Sequence, residues 1–131
     1  MSRVVHFEIH AADVPRAVTF YTDVFGWKSE DWTAMVGSPY IGLMTGPDDQ
    51  PGINGAVMQR SGENMPTGGP VAGAVLTVQV DDFDATAAAI EKAGGSVALP
   101  KMALAGMAWQ GYFHDTENNV FGIHQPDPEA K

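Results

Sequence analysis

The sequence predicts an α+β fold built from two copies of one βαβββ module. Three observations lead to this prediction. Each half of the chain has a strand-like segment followed by a capped amphipathic helix. The two helix caps and the two glycine stops lie at one offset, since 82 − 13 = 69 and 95 − 26 = 69. Each helix is then followed by strand-like segments that Gly- and Pro-rich breaks separate.

The first module begins with a predicted strand over Val4–His10, in which polar and apolar residues alternate. Asp13 is placed to cap the helix, with Pro15 in its first turn and Gly26 at its end. The apolar residues between them recur at helical spacing. Three further strands are predicted over Trp27–Val36, Tyr40–Met44 and Ile53–Gln59.

The second module repeats this order. Val75–Val80 is strand-like, Asp82 is the candidate cap and Gly94–Gly95 end the helix. The predicted strands that follow are Ser96–Leu99, Met107–His114 and Val120–His124, with breaks at Pro100–Gly106 and Asp115–Asn119.

A length of 131 residues suits a single domain. We expect module 1 over about 1–60, a mobile linker over 61–70, module 2 over about 71–126 and a frayed tail over 127–131. Each module has one helix to cover one sheet face. The prediction is therefore a cupped mixed sheet with its helices outside and a concave surface that binds a small molecule.

Composition argues against several other functions. The chain has no cysteine, which excludes disulfides, thiolate metal sites and a cysteine nucleophile. Seven Lys and Arg against 16 Asp and Glu make a nucleic-acid partner unexpected. We expect no membrane association and a cytoplasmic location, because neither a signal peptide nor a run of ~20 apolar residues is visible. Motifs for nucleotide cofactors and for serine hydrolysis are also missing from the sequence.

Short motifs occur in a fixed order along both halves: His6-Phe7-Glu8-Ile9, Asp13, Phe20-Tyr21, Phe25-Gly26-Trp27, Gly94-Gly95-Ser96-Val97 and Asp115-Thr116-Glu117-Asn118-Asn119. In this order they resemble the vicinal oxygen chelate superfamily, and in particular its single-domain proteins grouped with glyoxalase I, the bleomycin resistance proteins and the extradiol dioxygenases. The resemblance implies paired βαβββ modules, often completed as a homodimer. The segment Asp115–Asn119 resembles the Asp-Pro-Asp/Glu-Gly-Asn turn of this superfamily, and Asn118 stands where that turn has glycine. We therefore expect a positive φ at Asn118, which asparagine tolerates.

The resemblance also implies a divalent metal held by four side chains, two from each module. The four positions fall on His6, the segment Gly55–Val57, Val75 and Gly122. Only His6 can bind a metal, whereas a catalytic zinc needs about three protein ligands. We therefore expect no metal and no other cofactor. A rebuilt site of His6, Glu8 and His124 remains open as the alternative.

The candidate ligand-binding residues follow from strand alternation and from aromatic character. His6 and Glu8 share one strand face, either as a pair that binds a ligand or transfers protons, or as a structural pair. The aromatic and methionine candidates line either a cleft or the core and a dimer contact. The full set is His6, Glu8, Met58, Trp109, Tyr112 and His124; no catalytic residue is assigned.

We therefore expect a glyoxalase/bleomycin-resistance-like protein with a degenerate metal site, which sequesters or senses a metabolite or a drug as a homodimer. The alternative is a metal-dependent lyase, isomerase or dioxygenase that uses the rebuilt site. The sequence does not name the ligand.

Overall fold

The computed structural model describes residues 2–131, which form eight strands and three helices. The elements in chain order are β1 (Arg3–Ala11), α1 (Val14–Phe25), β2 (Lys28–Asp31), α2 (Thr33–Val36), β3 (Tyr40–Met44), β4 (Asn54–Gln59), β5 (Val75–Gln79), α3 (Phe83–Lys92), β6 (Ser96–Leu104), β7 (Ala108–His114) and β8 (Val120–Pro126).

The chain divides into two compact units. The N-terminal unit is His6–Ala74, and the C-terminal unit is Val75–Lys131 together with the start of the chain through Val5. The strand order is β2-β3-β4-β1 in the first and β6-β7-β8-β5 in the second. In each unit the first and last strands in sequence pair in parallel, while the other pairs are antiparallel. Both units therefore have the same βαβββ topology, which confirms the predicted α+β fold with mixed strand pairing.

The predicted helix boundaries are confirmed by their capping geometry. The carboxylates of Asp13 and Asp82 each accept a hydrogen bond from the backbone N–H three residues later, at 3.0 and 2.9 Å. Gly26 ends α1 in the left-handed conformation, with φ of 71°. Asn118 has the positive φ that was expected, at 62°.

Each unit packs its helix on one face of its strands. The core of the N-terminal unit centres on Ala11, Val14, Leu43 and Val57. The core of the C-terminal unit centres on Val80, Phe83, Phe113 and Ile123. Because Phe7 and Ile9 pack against the first core, the alternate residues of β1 lie on the face opposite α1. His6 and Glu8 therefore share one face, as predicted, and His10 lies on it too.

The prediction of one strand over Trp27–Val36 was wrong. β2 ends at Asp31, whose carboxylate accepts a hydrogen bond from the backbone N–H of Thr33 at 2.8 Å, and the single turn α2 follows. The indole of Trp32 packs against Gly42, where any Cβ atom would collide with the ring. A turn-forming aspartate and a long-range contact of Trp32 thus override the local strand propensity.

The break predicted at Pro100–Gly106 was also misplaced, because β6 continues to Leu104. The strand accommodates Pro100 in two ways. Its pairing with β7 shifts register between Val97 and Leu99 and again between Leu99 and Met102. β6 is also the terminal strand in the order of its unit, where proline is tolerated.

The tail from Pro126 is packed, contrary to the frayed end expected. The backbone N–H of Asp127 donates to Met107 at 2.8 Å, and the N–H of Gly106 donates to Ala130 at 2.8 Å. Ala130 is only 2% exposed. The tail is therefore held by backbone hydrogen bonds to the β6–β7 turn, which lies far away in sequence. A local sequence pattern does not reveal such contacts.

Candidate functional site

The N-terminal unit carries a hydrogen-bonded trio on the face opposite α1. The Tyr40 hydroxyl lies 2.7 Å from Nε2 of His6 and 2.7 Å from Oε2 of Glu8. Since the hydroxyl donates its proton to the Glu8 carboxylate, its oxygen accepts one from His6. Glu8 and Tyr40 are buried, at 4% and 8% exposure. A buried carboxylate is tolerated only with such donors.

The trio depends on a small residue in the strand between its members. β4 lies between β3, which carries Tyr40, and β1, which carries His6 and Glu8. Ala56 of β4 pairs with Glu8 and is fully buried. Its methyl group leaves room for Tyr40 to reach across β4. The rings of Trp32 and His6 both stack with that of Tyr40, at centroid distances of 6.3 and 6.4 Å.

Farther along the same face, His10 pairs with Met58 in the register of β1 and β4. Nη2 of Arg60 donates to the His10 carbonyl at 2.8 Å. Burial lowers the pKa of His10; nearby Glu8 acts in the opposite direction, and Arg60 lowers it further. This end of the face therefore presents a neutral imidazole and the half-buried thioether of Met58.

The C-terminal unit has an equivalent cluster around Gly122 of β8. In the strand register, Gly122 lies opposite Thr77 of β5 and Tyr112 of β7. A Cβ atom built on Gly122 would lie 2.9 Å from Thr77 Oγ1, 2.9 Å from Nε2 of Gln110 and 3.1 Å from Cε1 of Tyr112. Side chains from both flanking strands thus close over the glycine, as Tyr40 and Glu8 do over Ala56.

His124 orients the amide in this cluster. Its Nδ1 lies 2.8 Å from Oε1 of Gln110, on the neighbouring strand. Burial lowers the pKa of His124, so the imidazole is neutral near pH 7 and its Nδ1–H donates to Gln110. The amide nitrogen of Gln110 is then directed towards Gly122. Of the sequence candidates, Tyr112 and His124 belong to this cluster.

Trp109 lies on the other face of β7. It packs with the core around Phe113 under α3, and its Nε1 donates to Asp127 at 2.9 Å. The ammonium group of Lys101 lies 4.5 Å from the ring centroid. The structure therefore places Trp109 in the core and tail packing, away from the face of Gln110 and His124.

The inherited metal positions do not fit a divalent ion. His6 shares its Nε2 with Tyr40, while Ala56, Val75 and Gly122 have no donor atom in their side chains. Across residues 2–131, no three His, Asp or Glu side chains form a group that could hold a metal. The rebuilt site of His6, Glu8 and His124 takes its residues from both units and stays an untested alternative.

Sequence reasoning missed three members of these clusters. Tyr40, Thr77 and Gln110 were not among the sequence candidates. A buried Glu8 needs a donor, which is a signal for a partner such as Tyr40, but its position 32 residues away depends on the strand register. Uncharged polar residues within strands give no comparable signal.

None of the helices formed by residues 2–131 has the length and apolar character that a membrane crossing needs.

Comparison with known proteins gives consistent results. Residues 3–36 match the family described as bleomycin resistance protein-like N-terminal. The chain is 34% identical over 119 residues to a glyoxylase-like domain-containing protein of Didymella fabae, with 88% of each chain covered.

Two solved structures share the fold. A glyoxalase/bleomycin resistance protein/dioxygenase superfamily member from Vibrio splendidus has a TM-score of 0.64 at 17% identity, covering 95% of this chain and 99% of that one. Methylmalonyl-CoA epimerase from Mycobacterium tuberculosis has a TM-score of 0.62 at 20% identity, covering 95% and 88%. The extensive relationship to the Didymella protein, together with this fold, shows that the chain belongs to the glyoxalase/bleomycin resistance family of the vicinal oxygen chelate superfamily.

Proposed function

We propose that this protein binds a small molecule, a metabolite or a drug, in order to sequester or sense it, without a metal at the inherited position. The observation that carries the proposal is the pair of 2.7 Å hydrogen bonds that join His6, Tyr40 and Glu8. Because these bonds engage the histidine at the first ligand position, they support a polar network there in place of a metal ion.

The chemistry of this face favours a planar ligand that is neutral or cationic. The half-buried rings of Trp32 and His6, which both stack on the buried ring of Tyr40, offer flat apolar surface, and Met58 adapts to irregular shapes. Glu8 contributes negative charge within a chain of net charge −9. Such a surface attracts cations and disfavours anions.

The test is a thermal-shift screen with neutral and cationic metabolites and drugs, run with and without EDTA. We expect a ligand that raises the melting temperature equally in both conditions. His6→Ala should lower the affinity for this ligand, whereas the matched control His114→Ala should leave the affinity unchanged. Loss of the stabilisation in EDTA, together with about one divalent ion per chain by elemental analysis, would refute a metal-free site.

A second candidate function is metal-free acid–base catalysis of a lyase or isomerase type. It is favoured by the continuous hydrogen-bonded path from His6 through the Tyr40 hydroxyl to the accepting carboxylate of Glu8. Incubation of the screened ligand in D₂O distinguishes the two functions. Deuterium incorporation that His6→Ala abolishes would support catalysis, and recovery of unlabelled ligand would support binding alone.

We also propose a homodimer, supported by apolar side chains on the terminal strand β6. Val97 and Leu99 are 47% and 52% exposed there. Light scattering should give twice the chain mass of 13.9 kDa, and a Val97→Lys/Leu99→Lys variant should be monomeric. A monomeric parent protein would contradict the proposal. The cytoplasmic location stays a prediction that cell fractionation can test.

A further inference from the structure

The two equivalent clusters differ in one respect. In the N-terminal unit the polar groups that meet over Ala56 satisfy one another, because Tyr40 donates to Glu8 at 2.7 Å. In the C-terminal unit Thr77 is only 2% exposed, and its hydroxyl has no hydrogen-bond partner in the described chain. A buried hydroxyl without a partner costs about 1–3 kcal/mol. The cluster over Gly122 therefore lacks a hydrogen-bond partner for the Thr77 hydroxyl.

The second hydrogen-bond donor beside Gly122 is the amide nitrogen of Gln110. Because Oε1 of Gln110 accepts from His124 at 2.8 Å, the amide orientation is fixed and its N–H groups point away from His124. The Gln110 nitrogen and the Thr77 hydroxyl both lie 2.9 Å from the point where a Gly122 side chain would begin. No residue between 2 and 131 accepts a hydrogen bond from this nitrogen. Two donors from neighbouring strands thus lie on either side of Gly122, and the buried one, the Thr77 hydroxyl, has no acceptor in the described chain.

We propose that this cluster, formed by Thr77, Gln110, Tyr112 and His124 around Gly122, binds the carbonyl oxygen of a neutral ligand group such as an amide or a ketone. A carbonyl oxygen has two lone pairs and can accept from both donors at once. The ring of Tyr112 beside Gly122 supplies apolar contact for the carbon attached to that carbonyl.

The charge of the cluster selects a neutral group over a carboxylate. None of its side chains is cationic, and the imidazole of His124 is neutral near pH 7 because burial lowers its pKa. A carboxylate would be buried here without a counter-charge in a chain of net charge −9. This binding point does not depend on the trio in the N-terminal unit, so either proposal can fail without the other.

The experiment is an NMR titration of the ¹⁵N-labelled full chain with N,N-dimethylacetamide, a neutral carbonyl acceptor without N–H groups. The reporters are the side-chain NH₂ signals of Gln110 and the backbone amide of Gly122. We expect saturable shifts of these signals and much weaker ones with sodium acetate. Thr77→Val should weaken the affinity about five-fold, the equivalent of one hydrogen bond of about 1 kcal/mol.

Thr77→Ser is the matched control, because it keeps the hydroxyl and should retain affinity. If the NMR spectrum of Thr77→Val lacks the dispersion of a folded chain, the Gln110→Met variant is used in its place. Binding to that variant is followed by the backbone amide signal of Gly122. The proposal is overturned by unsaturable shifts in the parent protein, by equal affinity in Thr77→Val, or by acetate binding as tightly as the amide. Unsaturable shifts combined with a more stable Thr77→Val would mean that the site holds only a buried water.

Discussion

Tyr40→Phe is the most informative single change, because it removes one oxygen atom and leaves the aromatic ring. The hydroxyl bonds to Glu8 and to His6 at 2.7 Å each, and both Tyr40 and Glu8 are almost completely buried. The phenylalanine ring retains the packing against Trp32, so the effect reports on the hydrogen bonds.

The expected cost follows from the two bonds. A hydrogen bond to a charged group contributes about 1.5–3 kcal/mol and a neutral one about 1 kcal/mol. We therefore expect Tyr40→Phe to lower the free energy of unfolding by about 3 kcal/mol. The measurement is equilibrium unfolding in urea at pH 7, where the midpoint should fall while the slope of the transition stays constant.

A matched control and a double-mutant cycle complete this test. Tyr21 packs in a ring cluster with Phe25 and Trp27, and its hydroxyl makes no hydrogen bond with residues 2–131, so Tyr21→Phe should change stability by less than about 0.5 kcal/mol. In a cycle with Glu8→Leu, the double variant should lose about 1–2 kcal/mol less unfolding free energy than the sum of the two single losses. A Tyr40→Phe protein as stable as the parent, or strictly additive losses, would refute the hydrogen-bonded trio.

Three further outcomes are expected. Gly122→Ala should lower the free energy of unfolding by about 1–3 kcal/mol because its Cβ meets polar atoms at 2.9 Å, whereas Gly73→Ala, with no atom within 4 Å, should be neutral; equal effects would refute the crowding. Stability should fall as the pH drops below about 6.5, because the pKa values of His10 and His124 are lowered in the folded state and the unfolded chain protonates first. Urea midpoints at pH 7.5 and 5.5 measure this loss of stability, which should be smaller in a His10→Asn/His124→Asn variant. An identical loss in the variant would mean that other titratable groups cause the pH dependence. Trp109→Phe should accelerate amide hydrogen exchange in the tail, through loss of the bond to Asp127, and should leave dimethylacetamide affinity unchanged; a weaker affinity would return Trp109 to the binding face.

The fold was predictable because its strongest determinants are local. Asp13 and Asp82 cap helices through hydrogen bonds that span three residues, and Gly26 ends α1 through its own φ. These interactions depend on sequence neighbours only, and the two aspartate caps lie at one offset in both halves, whereas α3 ends at Ala93 and Gly94, slightly before the offset of Gly26 predicts. The errors occurred where distant contacts decide, as where Trp32 packs on Gly42 or where Ala130 docks against Gly106.

The candidate binding face was predictable only within a single strand. Alternation placed His6 and Glu8 together, because a strand has a period of two. The same parity rule could have moved Trp109 to the core, since it shares a face with Phe113. The meeting of Tyr40 with Glu8, or of Thr77 with Gln110, depends on which strands lie next to each other and in which register. Sequence spacing alone does not contain that information.

The small residues Ala56 and Gly122 have a consequence for the evolution of this chain. A position on a central strand either carries a functional side chain itself or is small enough for side chains of the two neighbouring strands to meet above it. Ala56 and Gly122 are both of the second kind. A carboxylate at 122 would require Thr77 and Gln110 to move away first, since each has an atom 2.9 Å from the first atom of any new side chain. A carboxylate at position 122 therefore needs a concerted change at three positions, because Gly122→Glu or Gly122→Asp alone places its first side-chain atom against Thr77 and Gln110.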